Sequence, residues 1–373
     1  MDKASSEILI VGAGPVGLTA AVELARRGFK PRIIDKGEGP VIESRALGVN
    51  ARTLEILEPS GAAKLMIERG LKIERLNFWD LPKLIFSIPM EKLQNRYNFM
   101  LALPQDDTER VLMEVLGGLG TKIEWKTELV ELQPTSKGAR AKIEKKSKTS
   151  TSEAHIVIGA DGAHSTVRHA LGIGFRGSSY DHDFGLADAI LSGPTSEHEV
   201  NVFRVSTGIF GMIPAGQGRF RMVADQPDVL GAMPDRFHIE EIVWQSRFRI
   251  SHRQVDTYQK GGVFLAGDAA HIHSPIGGRG MNLGIEDAAT LAWLIDVERT
   301  DEYTERRLRI GAQVLRQTDL QTKFMTSRNP FVTFFRRQVV PILMKSDFVL
   351  KRQLPEMAGL ASPRPPWLQE KAS

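Results

Sequence analysis

The 373-residue sequence contains no cysteine, which excludes disulfides, thiolate metal ligands and a cysteine nucleophile. No apolar stretch reaches the ~18 residues that a membrane span needs. The nearest, residues 331–344, is interrupted by Arg336, Arg337 and Pro341. Basic residues are scattered rather than run together, and the net charge is only +4. Without a basic stripe interleaved with aromatics, no nucleic-acid partner is expected. The opening residues, MDKASSE, lack the charged-then-apolar pattern of a secretory signal. There is no internal repeat and no low-complexity segment. What remains is an ordinary globular composition, 42% hydrophobic and 25% charged, on a chain long enough for two lobes. The expectation is a cytoplasmic chain, monomeric or homodimeric.

Residues 8–11 (ILIV) are too short an apolar run for a helix and read as a buried parallel strand. A glycine-rich turn follows, then helical periodicity over 15–27 stopped by Gly28, then a second strand over 31–35. Residues 50–58 read as a short helix capped by Asn50 and ended by Pro59. Residues 71–103 mix β-like segments with prolines and carry no clear helix, whereas 108–116 are helical. Residues 123–132 and 139–143 suggest a hairpin, and KKSKTSTSE (145–153) a solvated turn. A buried strand is expected over 154–159, antiparallel β-structure over 181–260, and a strand over 263–266. A helix over 284–297 and a basic helical tail from 301 complete the chain.

Three segments carry the chemistry. The first is GAGPVG, residues 12–17. Gly12 permits the tight turn off the strand, Gly14 lets backbone approach a pyrophosphate, and Gly17 allows close helix packing. Pro15 and Val16 complete the turn, and the helix N-terminus behind it stabilises negative charge. Asp35, with Lys36 beside it, ends the second strand, where a carboxylate can accept both hydroxyls of an adenosine ribose. This unit alone fits FAD or NAD equally. GIGFRG, residues 172–177, matches the same expression but precedes no helix and is discounted. The second segment is GADGAHSTVR (159–168) and the third GDAAHIHSPIGGRGMN (267–282). Each sets a carboxylate, Asp161 or Asp268, immediately after a buried strand, at the edge of the sheet where open α/β folds bind ligands.

In this order and spacing the three segments resemble those of the class A flavoprotein monooxygenases, the para-hydroxybenzoate hydroxylase-like and polyketide-tailoring aromatic hydroxylases. SRALGVNARTLEIL (44–57) and the Pro104, Gln105 and Glu109 spacing extend the resemblance, which covers roughly residues 7–300. It implies an α/β fold, with a discontinuous Rossmann-like FAD-binding domain (1–75, 98–180 and 262–300). An inserted antiparallel β-sheet substrate lobe (76–97 and 181–261) and C-terminal helices (301–373) complete it. It further implies that Gly12, Gly14 and Gly17 hold the FAD pyrophosphate and Asp35 the ribose. Arg45 and Gln105 would lie along the pyrophosphate and ribityl chain, and Gly267 and Asp268 at a ribityl hydroxyl. Pro275, Gly277, Gly278, Gly280, Met281 and Asn282 would wrap the isoalloxazine. Asp161 belongs to a motif tied to both FAD and NAD(P)H. The implied activity uses NADPH or NADH and O2. It inserts one oxygen atom into an aromatic or polyketide-like small molecule through a C4a-(hydro)peroxyflavin. A non-oxygenating reductase or dehydrogenase of this fold, or a flavin-binding regulator, is the alternative. A halogenase is disfavoured because FGMIP (210–214) lacks the tryptophans of the halogenase signature.

Blander readings accompany the remaining residues. His271 and His273 have no third ligand spaced to complete a metal site, so no metal is expected. His182, Arg204, Arg219, Arg221, His238 and Trp244 fall in the inserted lobe, each singly more in keeping with a structural than a substrate-binding role. Ser165 beside His164 is not a nucleophile–base pair, because adjacency does not give triad geometry. Arg306, Arg307, Arg309 and Arg316 read as the solvated face of a tail helix. Arg279 stands where the family often has glutamine.

Overall fold

The computed structural model describes Lys3 and residues 7–40, 46–205, 208–274, 277–327 and 329–369, apart from the side chains at 181 and 182. Arg45 and Pro275 and the side chain of His182 therefore lie outside the described residues. The apolar run Ile8–Val11 is a fully buried strand. It pairs in parallel with Arg32–Ile34 on one side and Ile156–Gly159 on the other. Val263–Leu265 joins beyond Ile156–Gly159, and Ile123–Glu124 beyond Arg32–Ile34. The central strands Ile8–Val11, Ile156–Gly159 and Val263–Leu265 are buried throughout, which is why they read as continuous rather than alternating apolar runs. Helices Pro15–Ala25 and Gly280–Asp296 pack together over this sheet.

A second, eight-stranded sheet runs in spatial order His271–Ile272, His238–Val255, Phe175–Ser192, Arg219–Ala224, Gly208–Gly216, Glu199–Val205, Arg75–Asp80, Lys83–Pro89. Its pairings are antiparallel except Glu199–Val205 with Arg75–Asp80, so the early segment enters this sheet through one parallel seam. GIGFRG runs straight into the strand Phe175–Ser192, in keeping with its being discounted as a nucleotide loop.

Three local expectations change. Ile123–Glu124 belongs to the parallel sheet, and the antiparallel partners are instead Thr127–Thr135 and Gly138–Lys145. The polar stretch 145–153 is only briefly a turn, since Lys148–Ala154 is the third strand of that small sheet. It is solvated on an exposed edge, where polar residues are tolerated because ladder bonds rather than burial hold them. The last major helix of the nucleotide-binding half begins at Gly280, not 284, so GMN forms its first turn.

The tail brings the largest correction. Helix Tyr303–Thr326 buries Tyr303, Arg307, Gly311, Val314, Leu315, Thr318 and Thr322 along one stripe. Arg307, expected on a solvated face, is 1% exposed. Its Nε donates to Asp287 Oδ1 at 2.5 Å and its Nη1 to Glu286 Oε1 at 2.8 Å. Asp287 Oδ2 also pairs with His271 Nε2 at 2.6 Å and accepts the Gly267 amide at 3.0 Å. Burial opposes charge on both partners. The carboxylates nonetheless raise the Arg307 pKa, and Arg307 and His271 hold Asp287 below the usual carboxylate range. One guanidinium thus fastens the tail to the third motif. Removing one partner of a buried pair strands the other's charge at a cost of about 3–5 kcal/mol. Arg307→Met is accordingly expected to lower the denaturant midpoint of the full chain clearly. An unchanged midpoint would show that this ion pair contributes nothing.

Candidate active site

Gly12, at φ +105°, lies so close to the strand end behind it that a Cβ would sit 2.3 Å from Ala160 O. A Cβ on Gly17 would fall 1.9 Å from Gly12 O. These two glycines are demanded by packing inside the protein. Gly14 differs: its φ of −74° suits any residue, and the nearest atom to a Cβ there is Glu109 Oε1 at 4.0 Å. Gly14 thus keeps a space open above the N-terminus of helix Pro15–Ala25, which has no side-chain cap. The half-buried Asp35 carboxylate shapes the loop from the other side. It accepts the amides of Ala13 and Gly37, both at 2.6 Å, and retains lone pairs for hydroxyl donors. Lys36 beside it is exposed.

The other two motifs close on this loop. Cβ atoms on Gly267 and Gly284 would meet Val16 Cγ2 at 2.7 and 2.6 Å, and Gly284 also abuts Gly267 Cα. Buried Arg168 donates through Nη1 to Ala269 O at 3.0 Å and through Nη2 to Ala163 O at 2.9 Å. It therefore ties the second motif to the third, and its pKa is lowered by burial despite Asp161. Asp161 accepts Ser165 Oγ at 2.6 Å and the Val167 amide at 3.1 Å. Its carboxylate anchors the short helix Thr166–Ala170, with Ser165 as the cap, so Ser165 has a structural task. Asp268 stands exposed between buried Gly267 and Ala269.

Gly277 and Gly278 adopt positive φ, +86° and +61°, and lead into helix Gly280–Asp296, where no side chain caps the start. The first-turn amides of Gly280, Met281 and Asn282 have no partner within the helix by its geometry. Buried Asn282 spends its carboxamide on the scaffold. Its Oδ1 accepts the Asn50 amide (3.0 Å) and Thr53 Oγ1 (2.7 Å), while its Nδ2 donates to Gly48 O (2.8 Å) and Gly278 O (2.7 Å). Gln105 starts helix Gln105–Gly118 and donates to Glu109 Oε1 at 2.9 Å. That places it by the same glutamate that lies nearest Gly14. The half-buried Arg279 faces the tail, donating to Gln317 Oε1 at 3.3 Å.

His271 and His273 stack 6.3 Å apart, but their partners are not those of a metal site. His271 is held by Asp287, and His273 Nδ1 lies 2.9 Å from Ser274 O. That carbonyl can only accept, so Nδ1 carries the proton and the buried, unpartnered Nε2 offers a lone pair. Burial first, and His271 next, push the His273 pKa down to about 4.

These features fit a bound dinucleotide. A steric slot over a helix start has the half-buried Asp35 carboxylate beside it, and a second uncapped helix start lies across the strand ends. Arg168, Glu286 and Asp287 were given no role by the sequence reading, and Arg307 was placed on a solvated face. The signal for Arg307 was available in its place on the apolar stripe from Tyr303 to Thr322.

Fold and site define an FAD-binding oxidoreductase of the two-sheet type. The FAD binding domain family matches residues 5–228 and 226–318. The 6-methylpretetramide 4-monooxygenase of Streptomyces rimosus is 33% identical, over 95% of this chain and 69% of that one. Pentachlorophenol 4-monooxygenase of Sphingobium chlorophenolicum is also 33% identical, over 85% and 64%. Among solved structures, p-nitrophenol 4-monooxygenase of Pseudomonas putida DLL-E4 superposes with a TM-score of 0.87 at 22% identity, over 97% of this chain and 100% of that one. The last likeness speaks to fold alone. The chain belongs to the FAD binding domain family, among the class A flavoprotein monooxygenases, and is an FAD-dependent enzyme.

Gly14→Val should leave the melting temperature of the FAD-free protein nearly unchanged and weaken FAD uptake about tenfold or more, because the new side chain fills the phosphate slot. Equal FAD affinity in a flavin-fluorescence titration would place the dinucleotide elsewhere. A pH effect follows from His273, whose imidazole titrates near 6.5 unfolded but near 4 folded. Below pH 6.5 the unfolded chain binds this proton more readily. Stability is therefore whole above that value and declines as pH falls toward 4. His273→Phe should flatten that part of the pH profile of unfolding, and an unaltered profile would contradict a neutral buried imidazole.

Proposed function

We propose that this monooxygenase takes electrons from NADPH or NADH and inserts one atom of O2 into an aromatic or polyketide-like small molecule, working in the cytoplasm where reduced nicotinamides are supplied. The observation that carries the reading is the convergence of the other two motifs on the first, Ala160 closing on Gly12 and Gly17, and Gly267 with Gly284 on Val16. In this reading residues 1–75, 98–180 and 262–300 form the FAD-binding domain, and 76–97 with 181–261 the substrate lobe. Residues 301–373 are the C-terminal helices.

Gly12, Gly14, Pro15, Val16 and Gly17 would cradle the pyrophosphate. Asp35 and Lys36 would meet the adenosine ribose, and Arg45 and Gln105 the phosphate–ribityl run. Asp268 would accept a ribityl hydroxyl. Pro275, Gly277 and Gly278 would flank the ring, and the first-turn amides of Gly280, Met281 and Asn282 would face its pyrimidine edge. Asp161 would act by holding the turn it caps. Bound FAD supplies a hydride acceptor and a centre for oxygen activation.

The chain's own contribution is electrostatic and steric. The uncapped start of helix Gly280–Asp296 favours negative charge at its first turn. His273, kept neutral, adds no competing cation behind the loop. Arg221, on one face of the eight-stranded sheet, donates to Ala46 O at 3.1 Å, the carbonyl that also accepts the Gln105 amide. On that face Arg221 is neutralised by Asp188, both bonds at 2.8 Å. Trp244 lies over Arg221 at 5.5 Å and donates to Asp188 at 3.2 Å. An aromatic substrate would lie against this wall with its reacting carbon toward the flavin, shielded from water.

The test is to supply FAD-loaded protein with NADPH or NADH, a panel of phenols and fused polycyclic phenols, and oxygen-18 gas. The expected result is substrate-stimulated nicotinamide oxidation and product carrying one heavy oxygen. Unlabelled product, or oxidation indifferent to every substrate, would refute oxygen insertion.

A further inference from the structure

Of the thirteen large apolar side chains exposed among the described residues, seven lie between positions 320 and 348. Three of these, Phe331, Phe334 and Phe335, sit on helix Pro330–Gln338 and are 85%, 64% and 45% exposed. Their spacing of three and four puts them on one helical face, and this helix has no buried residue at all. Further along the chain Ile342, on helix Val340–Leu343, is 71% exposed and Phe348, at the start of helix Asp347–Met357, is 77% exposed.

The face is held in place. Asn329 caps the helix, accepting the Phe331 amide at 2.9 Å. Arg336 reaches back to the end of helix Tyr303–Thr326, donating to Phe324 O at 2.8 Å, to Met325 O, and to Ser327 O at 3.4 Å. That longer helix is in turn locked by Arg307. The phenylalanines therefore project from an elbow tied to the core rather than from a loose end.

This stretch of chain carries one-sided charge, and half-buried Arg336 is the cation that Asp225 acts on. Residues 327–352 hold Arg328, Arg336, Arg337, Lys345, Lys351 and Arg352 against the single acid Asp347. Asp347 is already paired with Lys92 at 2.5 Å. Arg337, Lys345, Lys351 and Arg352 are exposed. A second copy of this surface would meet it with like charge, which disfavours self-association. Convex aromatic side chains among exposed cations are instead the chemistry that enters the boundary between acyl chains and anionic headgroups.

We propose that the elbow formed by helix Pro330–Gln338 and the segment through Phe348 docks the enzyme peripherally on anionic lipid. The aromatic rings enter the interface and the basic side chains meet the headgroups. This inference does not depend on the reaction catalysed, since it rests on a surface outside the motif-lined site.

The test uses the FAD-loaded full chain, with vesicles of phosphatidylcholine alone or containing about one quarter phosphatidylglycerol. The protein should float with the anionic vesicles and not with the neutral ones, and about 0.5 M salt should release much of it. The paired substitution Phe331→Ser and Phe334→Ser should reduce flotation about tenfold or more while leaving FAD content and melting temperature unchanged. Failure to float, or flotation untouched by the substitutions, would overturn the proposal. So would sedimentation data showing a dimer that the same substitutions split, with no vesicle binding. The face would then be a contact between copies.

Discussion

The arrangement hangs on one buried guanidinium. Arg307 comes from the tail yet lies at the centre of a network that runs through Asp287 to His271 and to the backbone of Gly267. Glu286 supplies the second carboxylate. Burying such charges is costly, and the arrangement holds only because each has a partner of opposite sign at hydrogen-bond distance. Its consequence is positional. The strand end that carries Asp268, the helix whose first turn would face the flavin, and the long tail helix share one set of bonds.

Around that network the glycines fix distances rather than supply flexibility. Gly12, Gly17, Gly267 and Gly284 each sit where a Cβ would strike a neighbouring backbone or side chain. Three segments separated by 142 and 99 positions along the chain can approach closely only because those atoms are missing. Within the first motif Gly14 differs from Gly12 and Gly17, since a Cβ there would meet nothing nearer than Glu109 Oε1 at 4.0 Å. The electrostatics follow the same division. The charged groups Asp161, Arg168, Asp188 and Arg221 are engaged with protein partners, whereas the starts of helices Pro15–Ala25 and Gly280–Asp296 carry no side-chain cap.

Much of this was readable in advance, for physical reasons. Strands buried on both faces leave uninterrupted apolar runs, so ILIV and IVIG announced the parallel sheet. The dinucleotide loop has few sequence solutions, so GAGPVG announced its helix. Less visible were features whose meaning depends on distant partners. KTSTSEA looks like a solvated turn because only its ladder with Gly138–Lys145 makes it a strand. Arg307 looks like a surface residue because its partners lie twenty positions away, on another helix. Asn282 could be assigned to the flavin loop by resemblance, but that its side chain would be wholly occupied by Gly48, Asn50, Thr53 and Gly278 follows only from the fold.

That carboxamide has a consequence for how such a sequence can change. It uses both its lone pairs and both its protons to join positions 48–53 to the loop at 278, across more than two hundred residues of chain. Aspartate would forfeit the two donated bonds, and leucine all four. The two stretches are thus mechanically one unit, and a substitution at Asn282 would disturb both at once. A shift in the turn around Gly48 is therefore transmitted to the loop around Gly278 through a single side chain.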